Sequence, residues 1–511
     1  MATMVSKPAV PIIVGVGDFR NKSLQVQDAM EPAQLMVKAV ESAIADTGLG
    51  DASRKELLSH VDSLRIVPTW TWAYRDLASL VAGRLGIEPS HTESGYHGGN
   101  QPALQCDKAA KAIAARESSV AILAGGEALA SLAACQKAGQ NPPPGWPEQD
   151  PDGKNLGSID MSILRESVGT RHSMGLPIHV YPLYENSRRA HRRQTADRNS
   201  HESATMYAAF DRIASKNEHS WNYGEPTRSA EVIGTISKRN RMIFWERRHY
   251  HQSSAISQSI DAALNVSGLT KEDIDCYDFY SQVPSFSSAV LDGIGLTARR
   301  QLLPHRAQAG VRSSRPLDDG GGETDHAARW LDIPRRLRMW WLTTRQAINA
   351  MTRELRAGRG KNGLILANGG MLTHQHALCL SAKAPSDERG YPTSNPLPPI
   401  AGRSTRPFVE TAEGRGTIEV GLTWPGTVLM GELTNDALQT YTVEYDRQGS
   451  PAMGLIVGVL QTGERFLANH GDEQTLAQLA SSSVEHVGQA IRVRPSEGGR
   501  NLFTLDWRTN L

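Results

Sequence analysis

Apolar and polar positions along the first 130 residues follow the pattern of a layered α/β protein. Short apolar runs predict strands, and apolar residues at helical spacing predict the helices between them. The predicted elements are a strand over Pro11–Gly17, a helix over Pro32–Thr47, a strand over Val61–Val67, a helix over Tyr74–Leu85 and, after a glycine turn, a helix and a strand ending at Ala124. Such alternation favours a mostly parallel sheet with helices on both faces.

The glycine turn Gly98-Gly99-Asn100 is the most informative segment of this unit. It leads into a helix whose apolar spacing indicates burial. The N-terminus of a helix carries a partial positive charge, which stabilises negative charge placed there. His97 before the turn is either a base or a structural histidine. Asn100 at the helix start is either a donor to an oxyanion or a helix N-cap.

Composition changes after about residue 130, where Asn141–Pro147 is too rich in proline for regular structure. The basic run Arg188–Arg193 is either a phosphate contact or a solvated helix face. A second α/β unit follows, and from about Arg403 the pattern changes to a β-meander. The predicted elements are helix Ala255–Val266, strand Cys276–Tyr280, helix Ser285–Ile294, helix Ala347–Arg356, strand Gly363–Ala367 and strands Gly416–Val420, Leu438–Tyr445 and Gly454–Leu460.

Length and composition narrow the classes of protein further. A chain of 511 residues is expected to form two or three domains. The net charge of +1 gives no basis for a nucleic-acid partner, and no apolar run is long enough to span a membrane. Four scattered cysteines without a CxxC pair indicate a reducing compartment. Without a signal peptide or a peroxisomal address, a cytoplasmic location is expected, and peroxisomes and mitochondria stay open.

The order of these blocks resembles the thiolase superfamily, acetyl-CoA acetyltransferases and sterol-carrier-type thiolases with an additional C-terminal β-domain. The resemblance is carried by the glycine turn with its buried helix, by Tyr280-Ser281-Gln282-Val283-Pro284 and by Asn368-Gly369-Gly370 with His374 and His376 after it. It implies a duplicated five-layer α/β/α/β/α core with five strands in each half and a small OB-like β-barrel. The implied parts are an N-terminal half (1–243) with a loop domain (about 130–234), a C-terminal half (244–395) and the β-domain (403–511).

In thiolases a nucleophilic cysteine lies at the glycine turn, and a second cysteine lies in the block that aligns with Asn368-Gly369-Gly370. Here Gly99 occupies the first position and the second block has no cysteine. The resemblance therefore implies an acyl-CoA acyltransferase without the usual nucleophile, acting by Claisen condensation or its reverse. The alternative is a non-catalytic acyl-CoA-binding or scaffold protein.

The candidate site is named on the same basis. His376 matches the histidine of the family, although His374 shares its face of an extended strand, so that spacing alone does not choose between them. No metal or tightly bound cofactor is expected, and CoA and acyl-CoA are the implied substrates. The implied catalytic residues are His97, Asn100 and His376, and the implied acyl-CoA contacts are Gly98, Gly99, Ser281, Asn368 and Gly369.

Two segments depart from the family pattern. Residues 299–345 contain many arginines and no lysine, and the chain passes from Ile243 to Phe244 without the long stretch that relatives carry there. Either these segments derive from an imperfect gene model or the protein has diverged. The resemblance further implies a homodimer, and the C-terminal domain is a candidate surface for a protein partner.

Overall fold

The computed structural model describes residues 9–150, 167–174, 177–214, 250, 253–279, 343–370, 374–383, 390–392, 408–418, 440–446, 448–481 and 484–505. Its helices are α1 (Pro32–Asp46), α2 (Asp51–Ser59), α3 (Leu77–Leu85), α4 (Gln101–Ala114), α5 (Leu129–Lys137), α6 (Val168–Arg171), α7 (Pro177–His191), α8 (Ala196–Ala214), α9 (Ser254–Ser267), α10 (Thr343–Arg356) and α11 (Glu473–Leu479). Its strands are β1 (Val61–Val67), β2 (His91–Ser94), β3 (Val120–Gly125), β4 (Cys276–Phe279), β5 (Asn362–Gly369), β6 (His374–Ser381), β7 (Gly414–Ile418), β8 (Thr440–Tyr445), β9 (Pro451–Leu460), β10 (Arg465–His470), β11 (Gln489–Pro495) and β12 (Asn501–Leu505).

Two small sheets share a central layer of helices. The first sheet has the order β2-β1-β3 with parallel strands, and the second has the order β4-β5-β6 with β6 antiparallel. Helices α1 and α3 pack on the first sheet, α9 packs on β6, and α4 contacts both sheets beside α10. The layers therefore follow the predicted order α/β/α/β/α. Each sheet has three strands in the described part of the chain, whereas five were expected.

Burial on both faces explains why the strands of this core have nearly continuous apolar sequences. Leu364 and Leu366 of β5 belong to one apolar cluster, and Ile365 and Ala367 belong to another. Alternate side chains of a strand point to opposite faces, so both faces of β5 are covered. Helix α3 begins three residues later than predicted, because the Asp76 carboxylate caps it by accepting from the Ser79 backbone N–H.

The predicted strand over Pro11–Gly17 is wrong, because this segment is extended but pairs with no strand among the described residues. Helix side chains hold it instead. The Arg356 guanidinium donates to the Ile13 carbonyl at 2.8 Å, and the Val16 N–H donates to the Asp46 carboxylate at 2.8 Å. Gly15 lies so close to α1 that a methyl group on it would be 2.1 Å from the Ala43 carbonyl oxygen.

Strands β7 to β12 form a second unit, which we call the C-terminal sheet. β9 pairs with β10, β10 with β12, β12 with β11, β11 with β7 and β7 with β9, while β8 pairs with β9 as its one partner among the described strands. The strands predicted near β7, β8 and β9 are confirmed. Ile456 and Phe466 face an apolar cluster inside this unit, whereas Leu455 and Leu467 join the cluster of the α/β core.

Several sequence predictions fall outside the described residues. They are Tyr280 to Pro284 with the candidate Ser281, the helix Ser285–Ile294, most of the segment 299–345 and the junction after Ile243. Helices α9 and α10, by contrast, lie within a few residues of the predicted bounds. No helix in the described ranges is long and apolar enough to cross a membrane.

Candidate functional site

The turn before α4 is buried where the two halves of the core meet. His97 is 3% exposed, Asn100 is 4% exposed, and Gly98 and Gly99 between them are also buried. The Gln101 backbone N–H donates to the Gly98 carbonyl at 2.9 Å, which closes the turn. Asn100 then begins α4 as its N-cap residue, but its side chain makes no capping hydrogen bond. The amide of Asn100 is therefore directed at groups other than its own helix.

Asn100 contacts the end of β5 in the other half of the core. A methyl group on Gly369 would lie 2.2 Å from Asn100 Oδ1, and one on Gly98 would lie 2.7 Å from it. Asn100 Nδ2 donates to Tyr96 Oη at 3.2 Å, while Oδ1 has no hydrogen-bond partner among the described residues. The Asn100 amide fills the space that a side chain would need at both positions, so a larger residue at either one would have to displace this amide.

His97 is held in its neutral form by burial. Its ring packs against Trp70 with a centroid separation of 4.4 Å. Loss of solvent lowers the pKa of His97 from 6.5 to about 4, because the charged imidazolium is disfavoured away from water. At neutral pH, His97 therefore offers an uncharged imidazole beside the turn.

His374 and His376 lie in different surroundings despite sharing one face of β6. His374 pairs with Gly369 in the sheet, and its ring lies 6.4 Å from the Tyr96 ring. His376 Nε2 instead lies 3.7 Å from Asp107, a residue seven positions along α4 from Asn100, or about 10 Å along the helix axis. The structure thus brings His374 to the Asn100–Gly369 contact and places His376 further along α4.

Burial lowers the pKa of both histidines. At His374, a hydrogen bond to the Gly369 backbone opposes this effect. Such a bond raises the pKa because a ring N–H donates to the backbone carbonyl oxygen. The other nitrogen of the neutral ring then remains an acceptor. At His376, the Asp107 carboxylate raises the pKa and Lys111 lowers it. Tyr391 Oη also donates to Asp107, so this carboxylate is shared by several groups.

The remaining predicted residues are placed as follows. Asn368 is 1% exposed, and its Oδ1 accepts from Gln375 Nε2 at 2.6 Å. Gly369 lies against Asn100 as described above, and Ser281 is outside the described residues. Burial raises the pKa of Cys106 to about 12 and raises the pKa values of Cys276 and Cys379 above 9.0. These three cysteines are therefore thiols, not thiolates, at neutral pH.

Three residues near the turn escaped the sequence analysis. Tyr96 bonds Asn100, Tyr181 of α7 donates to the Gly370 carbonyl at 3.3 Å, and the Glu127 carboxylate accepts from the Trp70 N–H at 2.8 Å. Glu127 follows the glycines at the carboxyl end of a parallel strand, where α/β sheets place their sites, so its position was a usable signal. Nothing in the local sequence of Tyr181 indicates that it reaches the turn.

Carboxylates neutralise part of the basic run. Arg189 pairs with Glu485, and Arg192 pairs with Glu202. These pairs favour the structural interpretation of the run over a phosphate contact. Among the described residues, no group of three or more His, Cys, Asp or Glu side chains is arranged to hold a metal ion.

Known proteins are similar to this chain in sequence or in structure. Residues 431–498 match the family of the thiolase-like protein type 1 additional C-terminal domain. The crystal structure of a monomeric SCP2-thiolase-like protein type 1 from Mycobacterium smegmatis is 20% identical, with a TM-score of 0.63, and the match covers 98% of this chain and 99% of that one. An acetyl-CoA acetyltransferase from Syntrophomonas wolfei is 10% identical over 73% of this chain and 98% of that one, with a TM-score of 0.41. No curated protein matches in sequence.

The full-length structural match and the layer order agree, and the sequence match falls on the C-terminal sheet. The chain therefore has a thiolase-like fold, and its residues 431–498 are similar to the additional C-terminal domain of the type 1 thiolase-like proteins.

Proposed function

We propose that the chain is an acyl-CoA acyltransferase of the thiolase-like type that works without a cysteine nucleophile at the turn before α4. The observation that carries this proposal is the packing of the Asn100 amide against Gly369, with the neutral His97 three residues before Asn100 and His374 as the sheet partner of Gly369. This arrangement combines a polarising donor with uncharged bases, as acyl transfer from a thioester requires.

Each group has a proposed role. Asn100 Nδ2 donates to the thioester carbonyl oxygen, and the N-terminus of α4 adds its partial positive charge. His97 or His374 takes a proton from the acceptor as the acceptor attacks the carbonyl carbon. The carbon–sulfur bond then breaks, and the proton passes to the CoA sulfur. We also propose His376 as a catalytic residue, which would act from its position beside the Asp107 carboxylate.

The same proposal covers the ligand and the C-terminal domain. The proposed contacts with acyl-CoA, which binds as a substrate and not as a resident cofactor, are Gly98, Gly99, Asn368, Gly369 and Ser281.

The circuit of pairings from β9 through β10, β12, β11 and β7 back to β9 supports an OB-like barrel. A homodimer stays a prediction, and the Mycobacterium smegmatis relative is described as monomeric.

A second candidate function is acyl-CoA binding without turnover. It is favoured by the cysteines, because a thiol whose pKa is raised is a poor nucleophile. It is also favoured by the packing of Asn100 against Gly98 and Gly369, which occupies space beside the turn.

Titration calorimetry with acetyl-CoA and CoA, together with an assay of released free thiol, tests both candidates. The acyltransferase predicts binding with thiol release, and Asn100→Ala should reduce the turnover by about 100-fold or more. The matched control is Asn265→Ala, an exposed asparagine on α9, which should leave binding and release unchanged. Binding without release would select the second candidate. The absence of binding by folded protein would refute both.

A further inference from the structure

We infer that the C-terminal domain positions Tyr181 at the candidate site by holding α7, so that this domain completes the acyl-CoA site instead of acting as a separate module. The inference rests on the proposed function for the identity of the ligand. Its structural basis is a continuous path of contacts from β8 through α7 to the turn at Gly370.

The path ends at the candidate site. Tyr181 is 6% exposed, and its hydroxyl donates to the Gly370 carbonyl at 3.3 Å. Gly370 has a left-handed conformation with φ of 65° and directly follows Gly369, the residue that packs against Asn100. The hydroxyl of Tyr181 therefore holds the Gly370 carbonyl, one residue beyond the glycine that packs against Asn100. A shift of α7 would move Gly370 and, through the chain, the Gly369 backbone that meets Asn100.

Helix α7 needs external support to stay in place. It contains Pro182, which removes one backbone N–H from the helix and crowds the preceding turn. A 15-residue helix with this interruption is not stable by itself in water. Contacts with other elements must therefore supply the stability of α7.

Strand β8 of the C-terminal sheet supplies these contacts along the length of α7. The Thr440 hydroxyl donates to the Leu183 carbonyl at 2.6 Å, and Asn186 Nδ2 donates to the Tyr441 carbonyl at 3.0 Å. His179 Nε2 lies 3.4 Å from the Glu444 carboxylate. The first of these bonds lies one residue after Pro182 and the other two lie on either side of it along the chain.

Arg189 anchors the end of α7 on the same surface. Its side chain is only 7% exposed and forms a two-point pair with Glu485, with an Nη2–Oε1 distance of 3.2 Å. Nη2 also donates to Tyr441 Oη at 3.1 Å, and Nη1 donates to the Gln194 carbonyl at 3.2 Å. A two-point arginine–carboxylate pair fixes both distance and orientation. Arg189 is therefore a positioning residue, which acts on the site through α7 and Tyr181.

Two pairs of variants test the inference in the full-length chain. Tyr181→Phe removes the hydroxyl at the site, and Tyr277→Phe is its control, because Tyr277 Oη also donates to a backbone carbonyl, that of Lys271 at 3.0 Å. Arg189→Met removes the anchor, and Arg192→Met is its control, because Arg192 pairs with Glu202 and not with the C-terminal sheet. Tyr441→Phe is a milder alternative if Arg189→Met does not fold.

The readouts are acetyl-CoA affinity by calorimetry and hydrogen exchange of the amides in Ala367–Gly370. Tyr181→Phe should weaken binding by about fivefold, the effect of one lost hydrogen bond, and Tyr277→Phe by less than about twofold. Arg189→Met or Tyr441→Phe should speed exchange both in α7 and in Ala367–Gly370, whereas Arg192→Met should change neither. Faster exchange in α7 alone would overturn the inference. If the wild-type protein binds no acetyl-CoA, the proposed function fails, and the exchange comparison decides the coupling by itself.

Discussion

Side chains around the turn before α4 carry buried polar atoms that no described residue satisfies. Asn100 Oδ1 and Gln101 Nε2 are buried and have no hydrogen-bond partner among the described residues. A buried polar atom without a partner costs about 1–3 kcal/mol of stability, so such atoms are expected where a ligand or an ordered water completes the bonding. Two of them on consecutive residues of the same turn support its assignment as the site.

Substitution of Gly369 by alanine is expected to destabilise the protein by about 1–3 kcal/mol, because the added methyl group would overlap the buried Asn100 amide. The measurement is the free energy of unfolding in urea. Gly83→Ala is the control, because no atom lies within 4 Å of the added carbon. That substitution in α3 should instead stabilise the protein by up to about 1 kcal/mol. Equal effects of the two changes would contradict the packing described here.

His97 predicts how stability depends on pH. Its pKa is lowered from 6.5 to about 4 in the folded protein, so the unfolded chain binds the proton more tightly. The contribution of the neutral ring is therefore complete above pH 6.5 and is lost as the pH falls toward 4. The loss amounts to about 3 kcal/mol at 1.36 kcal/mol for each pKa unit. Urea unfolding across this range should show a shallower pH dependence in His97→Gln, while the exposed His60→Gln should match the wild type.

The sequence predicted which residues form the turn before α4, but it did not predict which of the two histidines of β6 lies nearer to that turn. His374 and His376 share a strand face, and the resemblance favoured His376. Their different positions come from contacts between the two halves of the core, since Gly369 packs on Asn100 and its sheet partner His374 lies near Tyr96. Contacts between residues more than 200 positions apart leave no local pattern in the sequence.

Loops that follow the strands of the first sheet are tied together by Glu127. Its carboxylate accepts from the backbone N–H groups of Trp70 and Thr71 at 2.8 and 3.2 Å and from two threonine hydroxyls. We expect Glu127→Ala to cost about 2–4 kcal/mol, because these donors lose their acceptor. It should also free Trp70, and thereby raise the pKa of His97 in an NMR titration. The exposed Glu117→Ala should change stability by less than about 0.5 kcal/mol. If the pKa of His97 is unchanged in Glu127→Ala, the hydrogen bonds of Glu127 do not influence the turn before α4.

Elements with their own periodicity were predicted well, and elements that depend on a partner were not. Helix α1 and strand β1 match their predicted bounds closely, because one apolar face or one apolar run is enough to identify them. The segment Pro11–Gly17 has the composition of a strand, but its hydrogen bonds go to helix side chains. Strands β11 and β12 mix polar with apolar residues, since only one face of each meets the inner cluster of the C-terminal sheet.

One apolar cluster joins three parts of the molecule that the sequence presents as separate domains. It contains Tyr184 of α7, Ile260 of α9 and Leu364 of β5, together with Leu455 and Leu467 of the C-terminal sheet. The continuous apolar run of β9 is explained by this arrangement, because the strand is covered by its own sheet interior on one face and by the core on the other. The C-terminal domain therefore shares its stability with the core.

Shared packing predicts that the C-terminal domain and the core unfold together. Differential scanning calorimetry should give one transition, in which the calorimetric and van't Hoff enthalpies agree. Leu467 is fully buried in the shared cluster, so Leu467→Ala should lower stability by about 2–5 kcal/mol and move that transition as a whole. The control Val484→Ala removes a side chain that is 46% exposed and should leave the transition in place. If Leu467→Ala instead splits the transition in two, the domain folds by itself and its contact with α7 is a docking of separate units. A single shifted transition means that the C-terminal domain and the core unfold as one cooperative unit, held together by the apolar cluster that they share.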